Sequence, residues 1–253
     1  VKTKESLPEY IAKDETKSAS FSFEDSYGIK EIVCTATLNG KSVTEGFTYE
    51  PPASYSQTAE GKISIKADSA DKNGQWVFHV KAIDRAERES PEITLSTFVD
   101  SEIPLSLASD DENYPFLVQG KSIKDSWYSQ NSLTFRGYFK ENGSGIKTVF
   151  YFIENTSYET APTDLTEENA AHGYFDVADD KSVGDAVTYG ITTDKFEAGI
   201  NTIHIQAIDK AGNKSAVSKF IVNVDMENPE FSSSFYTFDS DPKQDSYNAQ
   251  ASG

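Results

Sequence analysis

Oxygen-bearing side chains recur at predicted turns of this 253-residue chain, and such groups can bind a hard cation. Calcium takes about six to eight oxygen ligands, mainly from carboxylates and amide carbonyls. If their segments meet, Asp100, Glu102, Glu141, Asn142 and Asp209 are predicted to form an interdomain calcium site. The residues leave a second interpretation open, in which Asp209 only stabilises the turn after it by accepting backbone N–H bonds.

Two adjacent aromatic residues suggest a different chemistry. Trp127 and Tyr128 follow a short polar segment and are not part of a clear strand pattern. Aromatic faces stack on sugar rings, while nearby carboxylates accept hydrogen bonds from the hydroxyls. Both residues are therefore predicted to bind a glycan. The alternative is a covering loop that packs on its own domain.

No catalytic constellation is present in the sequence. The three histidines, His79, His172 and His204, are far from one another and from the single cysteine, and we expect His79 and His204 on exposed strand faces. We find no nucleophile elbow, phosphate-binding glycine loop or zinc-ligand spacing. The chain is therefore predicted not to be an enzyme, and no cofactor is implied with certainty apart from the calcium hypothesis.

Charge excludes two classes of partner. The chain has 41 acidic and 23 basic residues, a net charge of −18. Nucleic acids and anionic membrane surfaces would repel such a chain. No apolar run reaches the roughly 18 residues needed to cross a bilayer, so we predict no membrane insertion by this part of the protein.

A long internal repeat organises the chain. Residues 74–86 and 199–211 both begin with glycine and end in Ala-Ile-Asp-x-Ala, at an offset of 125 residues (74 to 199). The segment Val99–Pro104 matches Val224–Pro229 at the same offset. One supersecondary unit has therefore been used at least twice.

Strands are predicted throughout both units. Trp76, Phe78, Val80 and Ala82 alternate with polar residues, which indicates a strand with one face in a core. Turn signals rich in asparagine and glycine separate many such segments, as in antiparallel sandwiches. Only residues 165–171 have a helical pattern, with acidic residues in the first turn.

The segment Ala207–Ser215 reads Ala-Ile-Asp-Lys-Ala-Gly-Asn-Lys-Ser and resembles the tandem immunoglobulin-like repeats of large bacterial surface proteins and adhesins. Ser144–Val149 resembles the strand that follows the early acidic turn of that family. The first unit departs from the pattern, with Ala86-Glu87-Arg88 in place of Ala-Gly-Asn. The resemblance implies modules that space, stiffen or display, with ligand binding confined to a few members of an array.

Together these observations predict an all-β protein of tandem immunoglobulin-like β-sandwich domains. We expect domain 1 at residues 1–99, domain 2 with insertions at 100–225, and a third repeat or disordered tail at 226–253. The expected function is a non-enzymatic structural and adhesive segment of a bacterial cell-surface or secreted protein. The alternative is a carbohydrate-binding accessory module of a secreted multidomain enzyme.

The expected partners and location follow from this assignment. Other repeats of the same chain are the internal partners, and a host or cell-surface protein or glycan is the external one. The expected location is extracellular, at the bacterial cell surface. The chain is expected to be a piece of a longer protein.

Overall fold

A computed structural model describes residues 2–52, 56–124, 126–158, 160–169, 171–177 and 186–230. Regular structure in these residues is β-strand, apart from a short 3-10 turn at Ala70–Lys72. The predicted all-β class is therefore confirmed. Most of the predicted tail, residues 231–253, lies outside the described residues.

The first sandwich packs two sheets face to face. Its strands are β1 (Lys2–Glu5), β2 (Tyr10–Ile11), β3 (Thr16–Glu24), β4 (Ile29–Leu38), β5 (Lys41–Val43), β6 (Phe47–Glu50), β7 (Thr58–Lys66), β8 (Gly74–Asp84) and β9 (Ile93–Val99). One sheet has the order β1-β3-β7-β6 and the other β2-β9-β8-β4-β5. The core between them contains Trp76, Phe78 and Phe21, each at most 1 % exposed. The face predicted from the alternation in β8 is the face that is buried.

The second sandwich repeats this plan with a different set of edge strands. Its strands are β10 (Leu105–Ser106), β11 (Leu117–Val118), β12 (Lys121–Ser122), β13 (Trp127–Tyr128), β14 (Leu133–Lys140), β15 (Ile146–Glu154), β16 (Gly173–Asp176), β17 (Ala186–Thr193), β18 (Gly199–Asp209) and β19 (Ser218–Val224). One sheet is built around β14, which pairs with β10, β11 and β17. The other has the order β13-β19-β18-β15-β16. In each sandwich a short strand, β2 or β13, runs parallel to the last strand.

Fine details of the repeat support the equivalence of the two units. The β4–β8 ladder shifts register after Ile29, and the β15–β18 ladder shifts after Ile146. A glycine in the left-handed region precedes each shifted residue, Gly28 at φ 102° and Gly145 at φ 90°. L-residues rarely adopt this conformation, which explains why both units begin the strand with Gly-Ile.

The outer face of β18 is covered, in contrast to that of β8. Residues 155–172 join β15 to β16 and place Leu165, fully buried, against Phe150 and Phe152. The Gln206 carboxamide holds this cover, because its Oε1 accepts a hydrogen bond of 2.7 Å from the Leu165 N–H. Its Nε2 donates to the Ser215 carbonyl at 2.8 Å. A second, smaller apolar cluster thus forms outside the sandwich.

Two predictions fail at this cover. His204 does point away from the core between the sheets, but it is only 2 % exposed and lies beside Phe152 of the second apolar cluster. The helix predicted for 165–171 is a turn in the described residues, in which the Asn169 N–H donates to the Thr166 carbonyl at 3.2 Å. The Gln206 bond fixes Leu165 at the start of this segment, and the tertiary contact outweighs a weak local helical preference.

Both histidines of the second sandwich have perturbed protonation. Burial lowers the pKa of His204; the Glu154 carboxylate, 2.8 Å from its Nε2, opposes this shift and the Lys219 ammonium adds to it. Burial also lowers the pKa of His172, with a further contribution from Lys195. The His172 ring stacks on Phe152 at 4.1 Å between centroids, and its Nδ1 accepts the Ile153 N–H at 3.0 Å. The neutral imidazole is therefore favoured at both positions.

Candidate functional site

Asp100 fixes the linker to the second sandwich. It directly follows β9 and is fully buried. Its carboxylate accepts the Ser144 N–H at 2.6 Å and the Glu102 N–H at 3.0 Å. A Cβ at Gly143 would lie 2.2 Å from Asp100 Oδ1, so only glycine leaves room for this carboxylate. The linker residue and the β14–β15 turn are thus shaped to fit each other.

Glu141 is the second buried carboxylate at this end. It follows β14, is 4 % exposed, and accepts hydrogen bonds from the Gly143 and Gly145 N–H groups. Burial raises the pKa of Glu141, and the nearby Asp100 and Asp209 carboxylates raise it further, against the effect of the two N–H donors. The ionised form is therefore disfavoured by its surroundings.

Asp209 is the third carboxylate and ends β18. Its Oδ1 accepts the N–H groups of Gly212 at 2.7 Å and Asn213 at 2.8 Å. Its Oδ2 accepts the Asn213 side-chain amide at 2.9 Å. Burial raises the pKa of Asp209 to about 6, and Asp100 adds to the increase. These are the backbone contacts that the turn-forming interpretation predicts.

The two remaining predicted ligands lie nearer solvent. The Asn142 side-chain amide donates to Glu102 Oε2 at 3.4 Å, at the rim of the same junction. The structure thus brings all five predicted residues to one end of the second sandwich. No group of three or more His, Cys, Asp or Glu side chains has an arrangement suited to a metal ion in the part of the chain that the structure describes.

Sequence reasoning missed the asparagines that connect the two sandwiches. The Asn213 amide donates to the Asp100 carbonyl at 3.1 Å, and its Oδ1 accepts the Lys13 N–H at 2.7 Å. On the other side, Asn73 Oδ1 accepts both the N–H and the hydroxyl of Ser101 at 2.8 Å. The Ala-Gly-Asn segment was a visible signal for Asn213, but its contact with Lys13 spans 200 residues of sequence.

The turn after β8 in the first unit has different contacts from the equivalent turn after β18. Asp84 corresponds to Asp209, and Arg88 stands where Asn213 stands. Arg88 donates to Asp84 through its backbone N–H at 2.9 Å and its Nε at 2.8 Å. The pKa of Asp84 is lowered by these bonds, by a further bond from the Ala86 N–H and by the guanidinium charge. Partial burial opposes this shift. The turn after β8 is thus ion-paired through Arg88, whereas Asp209 in the turn after β18 faces the Asp100 carboxylate.

The aromatic pair is divided between surface and core. Trp127 is 65 % exposed, whereas Tyr128 is 8 % exposed and donates its hydroxyl to the Val118 carbonyl at 3.2 Å. Successive residues of a strand face opposite sides, so β13 can present only one of them outward. Tyr128 is therefore a core residue and not a surface ligand contact. Trp127 shares its outer face with Asn223 and Ile200.

The comparisons with known proteins leave the family open. No protein-family model matches the chain, and no curated protein matches it. Among solved structures, fibronectin(III)-like modules of Clostridium thermocellum CbhA are similar at 10 % identity and a TM-score of 0.36, covering 91 % of this chain and 98 % of that one.

Two further solved structures give the same picture. The D00-D0 domain of intimin has 15 % identity and a TM-score of 0.32, with 85 % of this chain and 92 % of that chain covered. Rst D1-D2 has 10 % identity and a TM-score of 0.39, with 88 % and 99 % covered. At these values the assignment of a sandwich fold rests on the strand order of the chain itself.

The described residues contain no helix that is long and apolar enough to span a membrane.

Proposed function

We propose that this chain is a non-enzymatic structural and adhesive segment of a bacterial cell-surface or secreted protein, which spaces or displays a binding region. The observation that carries the proposal is the hydrogen-bonded junction between the sandwiches. Asn73 holds Ser101 from the first sandwich, while Asn213 holds both Asp100 and Lys13 from the second. A short linker that contains Pro104 and is held by such contacts favours a semi-rigid rod over freely jointed domains.

Small-angle X-ray scattering on the full chain tests the rod. We expect the distribution of interatomic distances to be narrow for the native protein and broader for Asn213→Ala, which removes the contacts on both sides. Asn169→Ala, at an exposed turn outside the junction, is the matched control and should match the native curve. A broad native distribution, or no change in Asn213→Ala, would refute a junction that sets the arrangement.

Calcium at the junction is a second part of the proposal. The supporting observation is that Asp100, Glu141 and Asp209 are buried together, and that the Asp100 carboxylate helps to raise the pKa of both Glu141 and Asp209. A divalent cation would relieve this repulsion, with Glu102 and Asn142 as further oxygen donors. Thermal unfolding is measured with millimolar calcium, with magnesium, and with a chelator.

A calcium-specific rise of several degrees in Tm that is lost in Glu141→Gln is the expected result. The Asp84→Asn variant of the first sandwich is the control, and its response to calcium should equal that of the native protein. An unchanged Tm in calcium would leave Asp209 and Glu141 as turn-stabilising residues only.

A carbohydrate-binding accessory module is the second candidate function. It is favoured by one observation, the exposed Trp127 ring beside the Asn223 amide on an open sheet face. A glycan ligand should quench or shift tryptophan fluorescence, and Trp127→Ala should abolish its binding. Tyr174→Ala, another exposed aromatic residue, should bind like the native protein. A screen of soluble glycans without any fluorescence change would remove this candidate.

A further inference from the structure

Strand β17 (Ala186–Thr193) is an unpaired sheet edge in the described part of the chain. Each of its eight residues pairs with β14 on one side, from Ala186 opposite Lys140 to Thr193 opposite Leu133. No described strand pairs with its other side. The equivalent strand of the first sandwich, β7, is flanked by β6 from Phe47 to Glu50. Among the described residues of the second sandwich, no strand occupies the position that β6 fills in the first.

This edge lacks the features that usually block further pairing. Exposed edges commonly have lysine, proline, a bulge or very short length. Strand β17 reads Ala-Val-Thr-Tyr-Gly-Ile-Thr-Thr, without a charge or a proline, and its register with β14 is continuous. In an antiparallel ladder, every second residue directs its N–H and C=O away from the partner. These groups can therefore pair with another extended strand.

The side chains of β17 are complementary to those of a second copy of the strand. Thr188 and Thr192 are exposed and lie symmetrically about Gly190, while Tyr189 and Ile191 point into the core. A two-fold axis through Gly190 would place Thr188 opposite Thr192 of the other copy and Tyr189 opposite Ile191. Thr–Thr pairs are favourable cross-strand neighbours. One already exists in this sheet, where the Thr134 and Thr192 hydroxyls are 2.8 Å apart.

We propose that two copies of this chain associate antiparallel through β17, centred on Gly190, to form one continuous sheet across both second sandwiches. This interaction goes beyond the proposed role as a spacer, because it joins separate chains side by side.

Charge and size predict the strength of this association. Strand β17 has no charged side chain, so charged residues such as Asp194, which directly follows it, lie only at the ends of the contact. Arg136 lies opposite Gly190 on β14, and the two copies of Arg136 would be about 14 Å apart at the backbone, three strand spacings. That exceeds the Debye length of about 8 Å at physiological salt. Pairing along about 27 Å of strand gives a small interface, so the dimer should be weak and concentration-dependent.

Sedimentation velocity of the full chain over a concentration series at physiological salt tests the proposal. The native protein should shift from monomer towards dimer as its concentration rises. Thr188→Lys/Thr192→Lys and Thr188→Glu/Thr192→Glu should each remain monomeric, because like charges would then face each other. An equimolar mixture of the two variants should dimerise again, since every lysine then faces a glutamate. Circular dichroism and Tm verify that both variants fold.

Three results would overturn the proposal. A native protein that is monomeric at all concentrations would do so; hydrogen exchange at 186–193 would then tell whether residues outside the described part cover the edge. Dimerisation unaffected by either double variant would assign the interface to another surface. Loss of dimerisation in both variants without recovery in the mixture would exclude the two-fold register centred on Gly190.

Discussion

Strands β8 and β18 each have an outward histidine at the equivalent position, His79 and His204, but the two side chains have different surroundings. His79 in β8 is at the surface, where its Nδ1 lies 2.7 Å from Glu92 Oε1. His204, its equivalent in β18, is buried beside Phe152, which packs with Leu165 of the 155–172 connection. In the first sandwich, a tight Asn39–Gly40 turn joins the corresponding strands, and no such cover can form. The longer connection between β15 and β16 thus packs on the outer face of its own sheet and forms a second apolar cluster there.

The largest effect is expected from removing the centre of that cluster. Leu165→Ala should lower the free energy of unfolding by about 2–5 kcal/mol, because it leaves a cavity among Phe150 and Phe152. Urea denaturation measures the change. Leu105→Ala, at a residue 63 % exposed, is the control and should change stability by less than about 0.5 kcal/mol. Equal effects of the two variants would mean that the 155–172 connection does not cover the sheet in solution.

The next largest effect on stability is expected at Gln206 and Lys81, two residues after His204 and His79 in their strands. Gln206→Ala should cost about 1–3 kcal/mol, since it leaves the buried Leu165 N–H and Ser215 carbonyl without partners. Lys81→Ala, at the equivalent position in β8, removes only a surface ion pair with Glu89 and should cost about 0–1 kcal/mol. Denaturation of both variants in urea gives the comparison. If Lys81→Ala is as harmful as Gln206→Ala, the contrast between the two faces is wrong.

A smaller effect should appear in the pH dependence of stability. Because burial lowers the pKa of His204 in the folded protein, the unfolded chain binds the proton more readily below about pH 6.5. The contribution of His204 to stability should therefore fall as the pH decreases below that value. Asp209 acts in the opposite direction, since its folded pKa of about 6 exceeds that of an unfolded aspartate.

The difference between native protein and His204→Gln isolates the histidine. Their difference in free energy of unfolding, measured from pH 7.5 to 5, should shift in favour of the variant as the pH falls. His79→Gln, at the equivalent exposed position, is the control for the change from histidine to glutamine. If the difference between native protein and His204→Gln stays constant, the His204 imidazole of the native protein binds a proton equally well in the folded and unfolded states.

The smallest effect is expected at the exposed histidine itself. His79→Ala should change the free energy of unfolding by less than about 0.5 kcal/mol, because its contact with Glu92 is a solvent-exposed pair. Urea denaturation at neutral pH is sufficient to measure it. A loss above about 1 kcal/mol would indicate that the outer face of β8 is also covered.

Part of the site could be predicted from the sequence. The repeated Ala-Ile-Asp-x-Ala segment located Asp209 at a strand end, and the adjacent acidic turn and linker located Glu141 and Asp100. The order of strands in a sandwich then brings those ends together. Asn73 and Lys13 could not be found this way, because their contacts with Ser101 and Asn213 join segments far apart in sequence. The prediction of Tyr128 as an exposed ligand contact was wrong, because the sequence does not reveal that β13 pairs with β19.

By itself, the sequence determined the long central strands of each unit and which face of those strands is apolar. That information is local: alternation in β8 and β18 directs Trp76 and Ile203 into their cores whatever lies elsewhere. Only the tertiary structure decided what lies against the opposite face and the free edges. His204 is buried, and within the described residues β17 is paired on one side only, because of where other segments of the chain run. The packing of one segment against another depends on the whole chain, and no periodicity within a single strand encodes it.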